Sequence, residues 1–122
     1  METDKQLVSV IINTHNDAEY LNKSIKSVLD QNYKNLELII WDNASTDNTK
    51  EIVNNFKDKR LQYFYSENFD SLYAARNKAL KISAGNYITF LDSDDIFTQN
   101  SLRSRIETLN KSNLLACYSN LF

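Results

Sequence analysis

Residues 7–43 read LVSVIINTHNDAEYLNKSIKSVLDQNYKNLELIIWDN, and this stretch decides the fold because it contains two different hydrophobic periods. Its first part, LVSVIIN (7–13), is apolar and β-branched, which predicts a buried strand. Apolar residues then recur at helical spacing and predict a helix over 17–31. LELIIWD (36–42) returns to the strand pattern. A strand, a helix and a second strand in this order are typical of a parallel pair.

The alternation of strand and helix continues along the rest of the chain. The predicted elements are a helix over 47–57, a strand over 61–66, a helix over 70–83 that Gly85 ends, a strand over 86–92, a helix over 98–111 and a fifth strand over 114–119. This alternation predicts an α/β fold with three layers, α/β/α, around a mainly parallel sheet. Strands one, two and four are nearly continuous apolar runs, so we expect both of their faces to be buried. The 122 residues are predicted to form a single domain over 1–122.

The composition argues against several classes of protein. With a formal net charge of −2 and a pI of about 5.3, the chain has no broad basic face, which argues against a nucleic-acid partner. Cys117 is the only cysteine, so no internal disulfide is possible and a reducing cytosol fits. No apolar run approaches the ~20 residues of a transmembrane helix, and METDKQ (1–6) does not resemble a signal peptide. The predicted location is therefore cytoplasmic.

Polar side chains follow the predicted strands, at the edge of the sheet where α/β proteins bind ligands. They are Asn13, Thr14, His15 and Asn16 after the first strand, Asp42 and Asn43 after the second, and Asp92, Ser93, Asp94 and Asp95 after the fourth. Because the carboxyl ends of parallel strands point to one side, we expect one site rich in carboxylates and hydrogen-bonding groups.

Asp92, Asp94 and Asp95 are the strongest candidates for a ligand site. Carboxylates this close repel one another unless a cation joins them or some are protonated. Mg²⁺ takes oxygen ligands, commonly one or two carboxylates together with substrate phosphates, so a D-x-D pattern suits a metal bound to a diphosphate. The alternative is that one aspartate caps the following helix and the others are solvated.

Three further groups allow both structural and functional interpretations. Asp42 and Asn43 could pair with the polar edge of a base, or they could shape the Asx-rich turn before the next helix. Arg76 borders the apolar face of its predicted helix, so it could bind a diphosphate, pair with the aspartates or be a solvated surface residue. His15 is the only histidine and by default a polar loop residue, and without a cysteine cluster it cannot build a structural zinc site.

Missing motifs exclude other folds and sites. The turn after the first strand, Asn13 to Asn16, contains no glycine, whereas dinucleotide-binding Rossmann proteins and P-loop proteins both require glycine there. An EF-hand loop over 42–53 fails at its sixth position, where Asp47 stands instead of glycine. A phospho-acceptor receiver domain needs an acidic pair after strand one and an acceptor aspartate after strand three, and the chain has neither.

The remaining pattern resembles family-2 glycosyltransferases, which have the GT-A fold. The resemblance is carried by the stretch from VSVIIN (8–13) to DNASTDNT (42–49), by ARNKAL (75–80) and by GNYITFLDSDD (85–95), in the same order and at similar spacing. It covers essentially residues 7–120. It implies a Rossmann-like GT-A half that binds a nucleotide-diphosphate-sugar, uses Mn²⁺ or Mg²⁺, and serves sugar transfer with inversion at the anomeric carbon.

The resemblance also assigns roles by motif position. It implies that Asn13 to Asn16 line the nucleoside pocket, that Asp42 and Asn43 contact the base, and that Arg76 faces the base or the diphosphate. Asp92 and Ser93 would belong to the donor site, Asp92 also to the metal shell, and Asp94 would bind the metal directly. The role of Asp95 is left open.

The chain departs from the family pattern at three of these positions. Proline is usual where Asn13 stands, tyrosine where His15 stands, and a second aspartate where Asn43 stands. The carboxamide of Asn43 could still accept from N3–H of a pyrimidine and donate to its O4, so UDP- or dTDP-sugars are the expected donors.

The resemblance further predicts what would complete the enzyme. In the family the acceptor site and the catalytic base follow the metal motif, so we expect the chain to be truncated before the acceptor-binding half, with the base beyond Phe122. The expected acceptor is a carbohydrate or glycolipid in surface polysaccharide or glycolipid synthesis. Such an acceptor would place the protein in the cytoplasm, peripheral at the inner membrane face.

Two alternatives stay open. One is a non-catalytic nucleotide-sugar-binding or assembly module that forms a homo-oligomer through an uncovered sheet edge beyond strand four. The other is a sugar-nucleotide synthase, although such enzymes usually carry a glycine-rich, basic loop after strand one, which this chain lacks.

Overall fold

The structure is a computed structural model that describes residues 2–118. Its strands are β1 (Val8–Thr14), β2 (Leu36–Asn43), β3 (Leu61–Ser66) and β4 (Tyr87–Phe90). Its α-helices are α1 (Ala18–Leu29), α2 (Thr49–Asn54), α3 (Leu72–Ile82) and α4 (Ser101–Ser112), and a short 3-10 helix spans Glu2–Lys5. Within the described part of the chain, no helix is both long and apolar enough to cross a membrane.

The four strands form one parallel sheet in the order β3-β2-β1-β4. Val8 of β1 pairs with Leu36 on one side and with Tyr87 on the other, so β1 and β2 are central. β3 and β4 are the edges of the sheet that residues 2–118 form. Because all four strands are parallel, their carboxyl ends lie along one side of the sheet, where such folds bind ligands.

The two faces of the sheet carry separate cores because successive residues of a strand point to opposite faces. Val8, Val10 and Ile12 of β1 join the larger core, to which α1, α2 and α4 contribute buried residues. Ile11 joins the smaller core on the other face, where Ala79 of α3 is buried. The predicted three-layer α/β/α fold around a parallel sheet is confirmed.

Two predictions about strands are wrong. β4 is not buried on both faces: Ile88 and Phe90 are 39% and 37% exposed, because β4 is an edge strand and α3 packs on β1 and β2. The predicted fifth strand over 114–119 is not formed by residues 114–118, and residue 119 lies outside the described residues. Asn113 ends α4 in the left-handed conformation (φ 51°), and the described chain beyond it pairs with no strand.

Gly85 was expected to end α3, but its role is different. The helix ends at Ile82, and the residue that follows it, Ser83, is extended (φ −75°, ψ 144°). Gly85 instead permits a close approach to β1, because an added Cβ would lie 2.5 Å from the hydroxyl and 2.6 Å from the backbone nitrogen of Ser9. Its N–H donates to the Ser9 hydroxyl at 2.8 Å, which fixes the entry to β4.

Helix α2 is shorter than the predicted 47–57. Asp47 lies outside the helix, and its carboxylate accepts hydrogen bonds from the N–H and the hydroxyl of Thr49 (3.2 and 2.5 Å). Burial of Asp47 opposes its ionisation, but these bonds and one from the N–H of Ala18 lower its pKa below the usual value. Asp47 therefore satisfies the first turn of α2 and also ties it to the start of α1.

Candidate functional site

The acidic turn, defined as Asp92 to Asp95, follows β4 directly. Asp92, Asp94 and Asp95 each offer a carboxylate oxygen, and the three oxygens lie within 4.8 Å of one another. All three side chains are exposed, and the N–H of Asp95 closes the turn onto the carbonyl of Asp92 at 3.0 Å. Ligand oxygens about 2.1 Å from one Mg²⁺ lie roughly 3–4 Å apart, so small side-chain rotations would let these residues share one ion. The structure thus brings together the carboxylates that the sequence singled out.

Arg76 of α3 lies against the acidic turn. One of its terminal nitrogens, Nη2, is 3.2 Å from Oδ1 of Asp92, and its Cζ lies 4.9 Å from the centre of the Phe90 ring. Its Nε is buried without a hydrogen-bond partner among the described residues. Of the alternatives that the sequence left open, the pairing with an aspartate is the one observed. A cavity of about 510 Å³ in front of the turn is lined by Arg76, Phe90 and the three aspartates, among others.

A second cavity, of about 350 Å³, lies at the carboxyl ends of β1 and β2 and is here called the loop pocket. It is lined by Asn13, Thr14, His15, Asp17, Asn43, Phe69, Asp70, Ser71 and Leu72. Both polar atoms of the Asn13 side chain and the Thr14 hydroxyl are buried without a partner in the described residues. Buried polar groups in native proteins are nearly always hydrogen-bonded, so such groups beside a cavity mark a place for a polar ligand or ordered water.

His15 and Phe69 form an aromatic wall of the loop pocket. The two rings meet edge to face with their centres 4.5 Å apart. Nδ1 of His15 lies 2.7 Å from the carbonyl oxygen of Asn43, which assigns the proton to that nitrogen. Phe69 is 66% exposed, so its ring is not used for core packing. His15 thus lines the loop pocket and directs its Nδ1 proton to Asn43, and its role in donor binding stays a prediction.

Asn43 holds the loop that carries Phe69. Its carboxamide donates to the carbonyl of Asp70 at 2.8 Å and accepts from the N–H of Asp70 at 2.9 Å. The carboxyl group of Asp70 in turn pairs with Lys78 of α3 at 2.5 Å. The side-chain N–H and C=O of Asn43, which were predicted to bind a base, are therefore bonded to the backbone of Asp70. In this structure it builds the wall of the pocket.

Asp42 shapes the turn beside the pocket. It is 1% exposed, and its two carboxylate oxygens accept from the N–H of Ser45 (2.9 Å) and from the hydroxyl of Tyr63 (2.5 Å). Burial of Tyr63, together with this hydrogen bond, raises the pKa of its hydroxyl above the usual range. Each of these oxygens can accept one more hydrogen bond, but at 1% exposure the carboxyl group offers a base little access.

Asn16 and Ser93 have structural roles that the sequence did not reveal. Asn16 is left-handed (φ 53°), and its side-chain oxygen accepts from the N–H groups of Thr46 and Asp47 (2.8 and 3.3 Å). Ser93 is buried, and its hydroxyl donates to the carboxylate of Asp17 at 2.5 Å. Asn16 therefore fixes the turn after β2, and Ser93 ties the acidic turn to the residue before α1. Their roles in donor binding stay predictions.

The lining residues of the loop pocket that were not predicted from the sequence are Asp17, Phe69, Asp70, Ser71 and Leu72. For Phe69 a signal was available, because an aromatic residue stands in an otherwise polar segment, SENFDS (66–71), just after a strand. A larger cavity of about 560 Å³ lies elsewhere, along β4, α4 and residues 115–118, and contains none of the predicted site residues.

Comparison with known proteins finds similarity to a family of sugar-transferring enzymes. The model of the family Glycosyl transferase family 2 matches residues 9–121. The Escherichia coli UDP-Glc:alpha-D-GlcNAc-diphosphoundecaprenol beta-1,3-glucosyltransferase WfgD is 41% identical over 117 residues, which are 96% of this chain and 46% of that protein. The chain therefore spans less than half the length of this relative.

Two solved structures share the fold of the described chain. The crystal structure of S. aureus TarS 1-349 in complex with UDP superposes with a TM-score of 0.81 at 28% identity, over 87% of this chain and 32% of that one. The mannosyltransferase from Pyrobaculum calidifontis, in complex with GDP-Man and Mn²⁺, gives a TM-score of 0.78 at 26% identity, over 84% of this chain and 32% of that one.

Proposed function

The chain belongs to glycosyl transferase family 2, and we propose that it is the donor-binding part of an enzyme that moves a sugar from a nucleotide-diphosphate-sugar to an acceptor hydroxyl with inversion. The observation that carries the proposal is the acidic turn, whose three carboxylate oxygens lie within 4.8 Å of one another at the end of β4. The loop pocket opens on the same side of the sheet and offers unpaired polar atoms on Asn13 and Thr14. A charged turn and a polar pocket on one side suit a nucleotide that carries a diphosphate.

In this proposal, different residues bind the nucleoside and the diphosphate of the donor. The nucleoside occupies the loop pocket, where the Asn13 carboxamide can donate to and accept from the polar edge of a base. Phe69 and His15 border the base, and Arg76 with the acidic turn faces the diphosphate. Mn²⁺ or Mg²⁺, held by Asp94 and Asp92, would neutralise charge on the departing diphosphate. A carboxylate base would remove the proton of the acceptor hydroxyl as that oxygen attacks the anomeric carbon.

A pyrimidine diphosphate sugar, UDP- or dTDP-linked, is the proposed donor. The relative named for UDP-Glc and the neighbour solved with UDP both support uracil. The neighbour solved with GDP-Man and Mn²⁺ supports the metal and shows that the base varies within this fold. The relative's named acceptor, a sugar on diphosphoundecaprenol, supports a glycolipid acceptor. With such an acceptor, the protein would act in the cytoplasm at the inner face of the membrane.

Calorimetry of the 122-residue chain with a panel of nucleoside diphosphates tests the proposal. We expect UDP and dTDP to bind in the presence of Mn²⁺, and UDP to bind at least tenfold more weakly after chelation. Asp94→Asn should remove the metal dependence, whereas Glu107→Gln, the same charge change at an exposed position of α4, should preserve it. Absence of metal-dependent heat with every nucleotide would reject the proposal.

A second candidate is a non-catalytic assembly module, favoured by the edge strand β4. Its residues Ile88 and Phe90 are partly exposed, and uncovered edges invite pairing with another chain. Sedimentation equilibrium distinguishes the two. A dimer that Ile88→Lys dissociates, together with nucleotide binding that Asp94→Asn does not alter, would favour assembly over donor binding.

A further inference from the structure

Three polar side chains, two in α1 and one just after it, face the segment that follows β4. Ser24 and Ser27 lie about one turn apart in α1, and Gln31 follows two residues after the helix ends at Leu29. Ser24 and Gln31 are fully buried, beside the core residues Ile25 and Val28. Burying hydroxyl and amide groups costs free energy unless they are hydrogen-bonded, so their partners reveal what they do.

All three side chains bind the backbone of the segment between β4 and α4. The Ser24 hydroxyl lies 2.7 Å from the carbonyl oxygen of Ser93 and 2.5 Å from that of Asp95, and its single proton is shared between these two acceptors. The Ser27 hydroxyl accepts from the N–H of Phe97 at 3.1 Å.

Gln31 completes the set at the far end of the segment. Its amide nitrogen donates to the carbonyl of Thr98 at 2.6 Å, and its oxygen accepts from the N–H of Leu102 at 3.0 Å. Residues 91–100 contain no helix or strand, so these side-chain bonds take the place of the backbone hydrogen bonds that regular structure would supply.

We propose that these residues, the α1 polar ladder (Ser24, Ser27 and Gln31), position the acidic turn for metal binding, with Ser24 as the main positioning residue. The inference rests on the proposed function, because it assumes that the turn binds a divalent cation. The two carbonyls within hydrogen-bond distance of the Ser24 hydroxyl belong to the residues on either side of Asp94. Three neighbouring carboxylates repel one another, and a turn fixed from below keeps them convergent without a cation.

The Ser93 hydroxyl strengthens this interpretation. It donates to Asp17, the residue just before α1, so the acidic turn is bonded to the start of the helix as well as to Ser24 within it. Residues that orient metal ligands through hydrogen bonds commonly change metal affinity by 10–100-fold when they are mutated. Ser24 touches no ligand oxygen of the carboxylates, and it acts only through the backbone that carries them.

The test compares Ser24→Ala with Ser9→Ala in the 122-residue chain. Ser9 is a matched control because its hydroxyl is also fully buried and bonded twice, to Glu37 and to the N–H of Gly85, but at the other end of the sheet. Electron paramagnetic resonance titration with Mn²⁺ and UDP gives the metal affinity. Hydrogen exchange of the metal-free protein gives the protection of the Asp95 amide.

We expect Ser24→Ala to weaken Mn²⁺ binding about tenfold and to speed exchange at Asp95, while Ser9→Ala changes neither. Ser27→Ala, with a weaker effect in the same direction, serves if Ser24→Ala does not fold. Unchanged Mn²⁺ affinity in both ladder variants, or an equal loss in Ser9→Ala, overturns the inference. If the unmutated chain binds no Mn²⁺ with UDP, the proposed function fails first, and the metal role of the ladder fails with it.

Discussion

Ala44 occupies a backbone conformation that suits glycine. It lies in the turn after β2 with φ 59°, in the left-handed region, where a Cβ costs roughly 1 kcal/mol. We expect Ala44→Gly to stabilise the fold by up to about 1 kcal/mol, less the greater entropy that glycine gains on unfolding. Ala74→Gly, at a half-buried position in the first turn of α3, should destabilise it by about 1 kcal/mol. Urea unfolding of both variants measures the two signs, and a loss of stability in Ala44→Gly would contradict the argument.

Phe69 is predicted to contribute to nucleotide affinity. Its ring is exposed at the loop pocket, and the Asn43–Asp70 pair holds the loop that presents it. Stacking of a base on an aromatic ring is worth about 1–3 kcal/mol, so Phe69→Ala should weaken UDP binding at least fivefold. Phe69→Tyr should preserve it.

The control for Phe69 is Tyr73→Ala, which removes a more exposed aromatic residue of α3 that does not line the pocket. Calorimetry at saturating Mn²⁺ compares the three variants. Equal affinities for Phe69→Ala and the unmutated chain would remove Phe69 from the base site.

The sequence identified residues by chemistry better than by orientation. The clustering of the three carboxylates in the acidic turn was predictable, because they stand within four positions of one another at the end of a strand. Asn16 and Asn43 also have the right chemistry, but their side chains bind the neighbouring backbone. Whether an asparagine faces a ligand or a loop depends on tertiary contacts, which no local pattern contains.

The connection between α2 and β3 is held by an ion pair that also reaches α1. Arg60 donates through Nε and Nη2 to the two carboxylate oxygens of Asp58 (3.0 and 2.8 Å), and through Nη2 to the carbonyl of Leu29 (3.0 Å). The hydrogen bonds from Arg60 lower the pKa of Asp58 from 3.8 to about 2, against the opposing effect of burial. This pair joins three elements at the amino end of the sheet.

Stability should therefore fall as the solution is acidified. Because the pKa of Asp58 is lower in the folded state, its contribution is fully present above about pH 4 and is lost as the pH falls towards 2. We expect Asp58→Asn to cost roughly 1–2 kcal/mol at pH 7 and much less at pH 2.5. Urea unfolding at both pH values measures this.

The matched control is Asp30→Asn, which removes an exposed i, i+4 partner of Lys26 and should change stability little at pH 7. If Asp58→Asn and Asp30→Asn lower the free energy of unfolding equally at pH 7, the Asp58–Arg60 ion pair contributes no more than an exposed pair.

The elements themselves were predictable to within a few residues, and their order in the sheet was not. Strand and helix periods are local properties, so every strand and α-helix of residues 2–118 was found from its pattern, together with a fifth strand that residues 114–118 do not form. The position of β4 at an edge depends on which strand lies beside β1, and its sequence YITF gives no sign of it. Gly85 illustrates the same limit, because glycine is required there by the close approach of Ser9 in the neighbouring strand β1.

The acidic turn implies a conflict between stability and function in the whole molecule. In the metal-free protein, three carboxylates within 4.8 Å repel one another, and the α1 polar ladder opposes that repulsion. We expect Asp94→Asn to raise the melting temperature of the metal-free protein by roughly 2–4 °C at low salt, because it removes one charge from the trio. A functional site that is costly to the unliganded fold is a common result of selection for binding.

The same variant should lose the stabilisation that ligands give. A ligand that binds only the folded state raises the melting temperature, so Mn²⁺ with UDP should raise that of the unmutated chain and leave Asp94→Asn unchanged. The two melting curves should therefore exchange order when Mn²⁺ and UDP are added. Glu107→Gln, which removes one exposed carboxylate outside the turn, should follow the unmutated chain in both conditions. If Asp94→Asn both raises the melting temperature of the metal-free protein and loses the stabilisation by Mn²⁺ with UDP, one shared cation explains both effects. Melting curves that keep the same order with and without the ligands would show that the three aspartates are solvated surface groups.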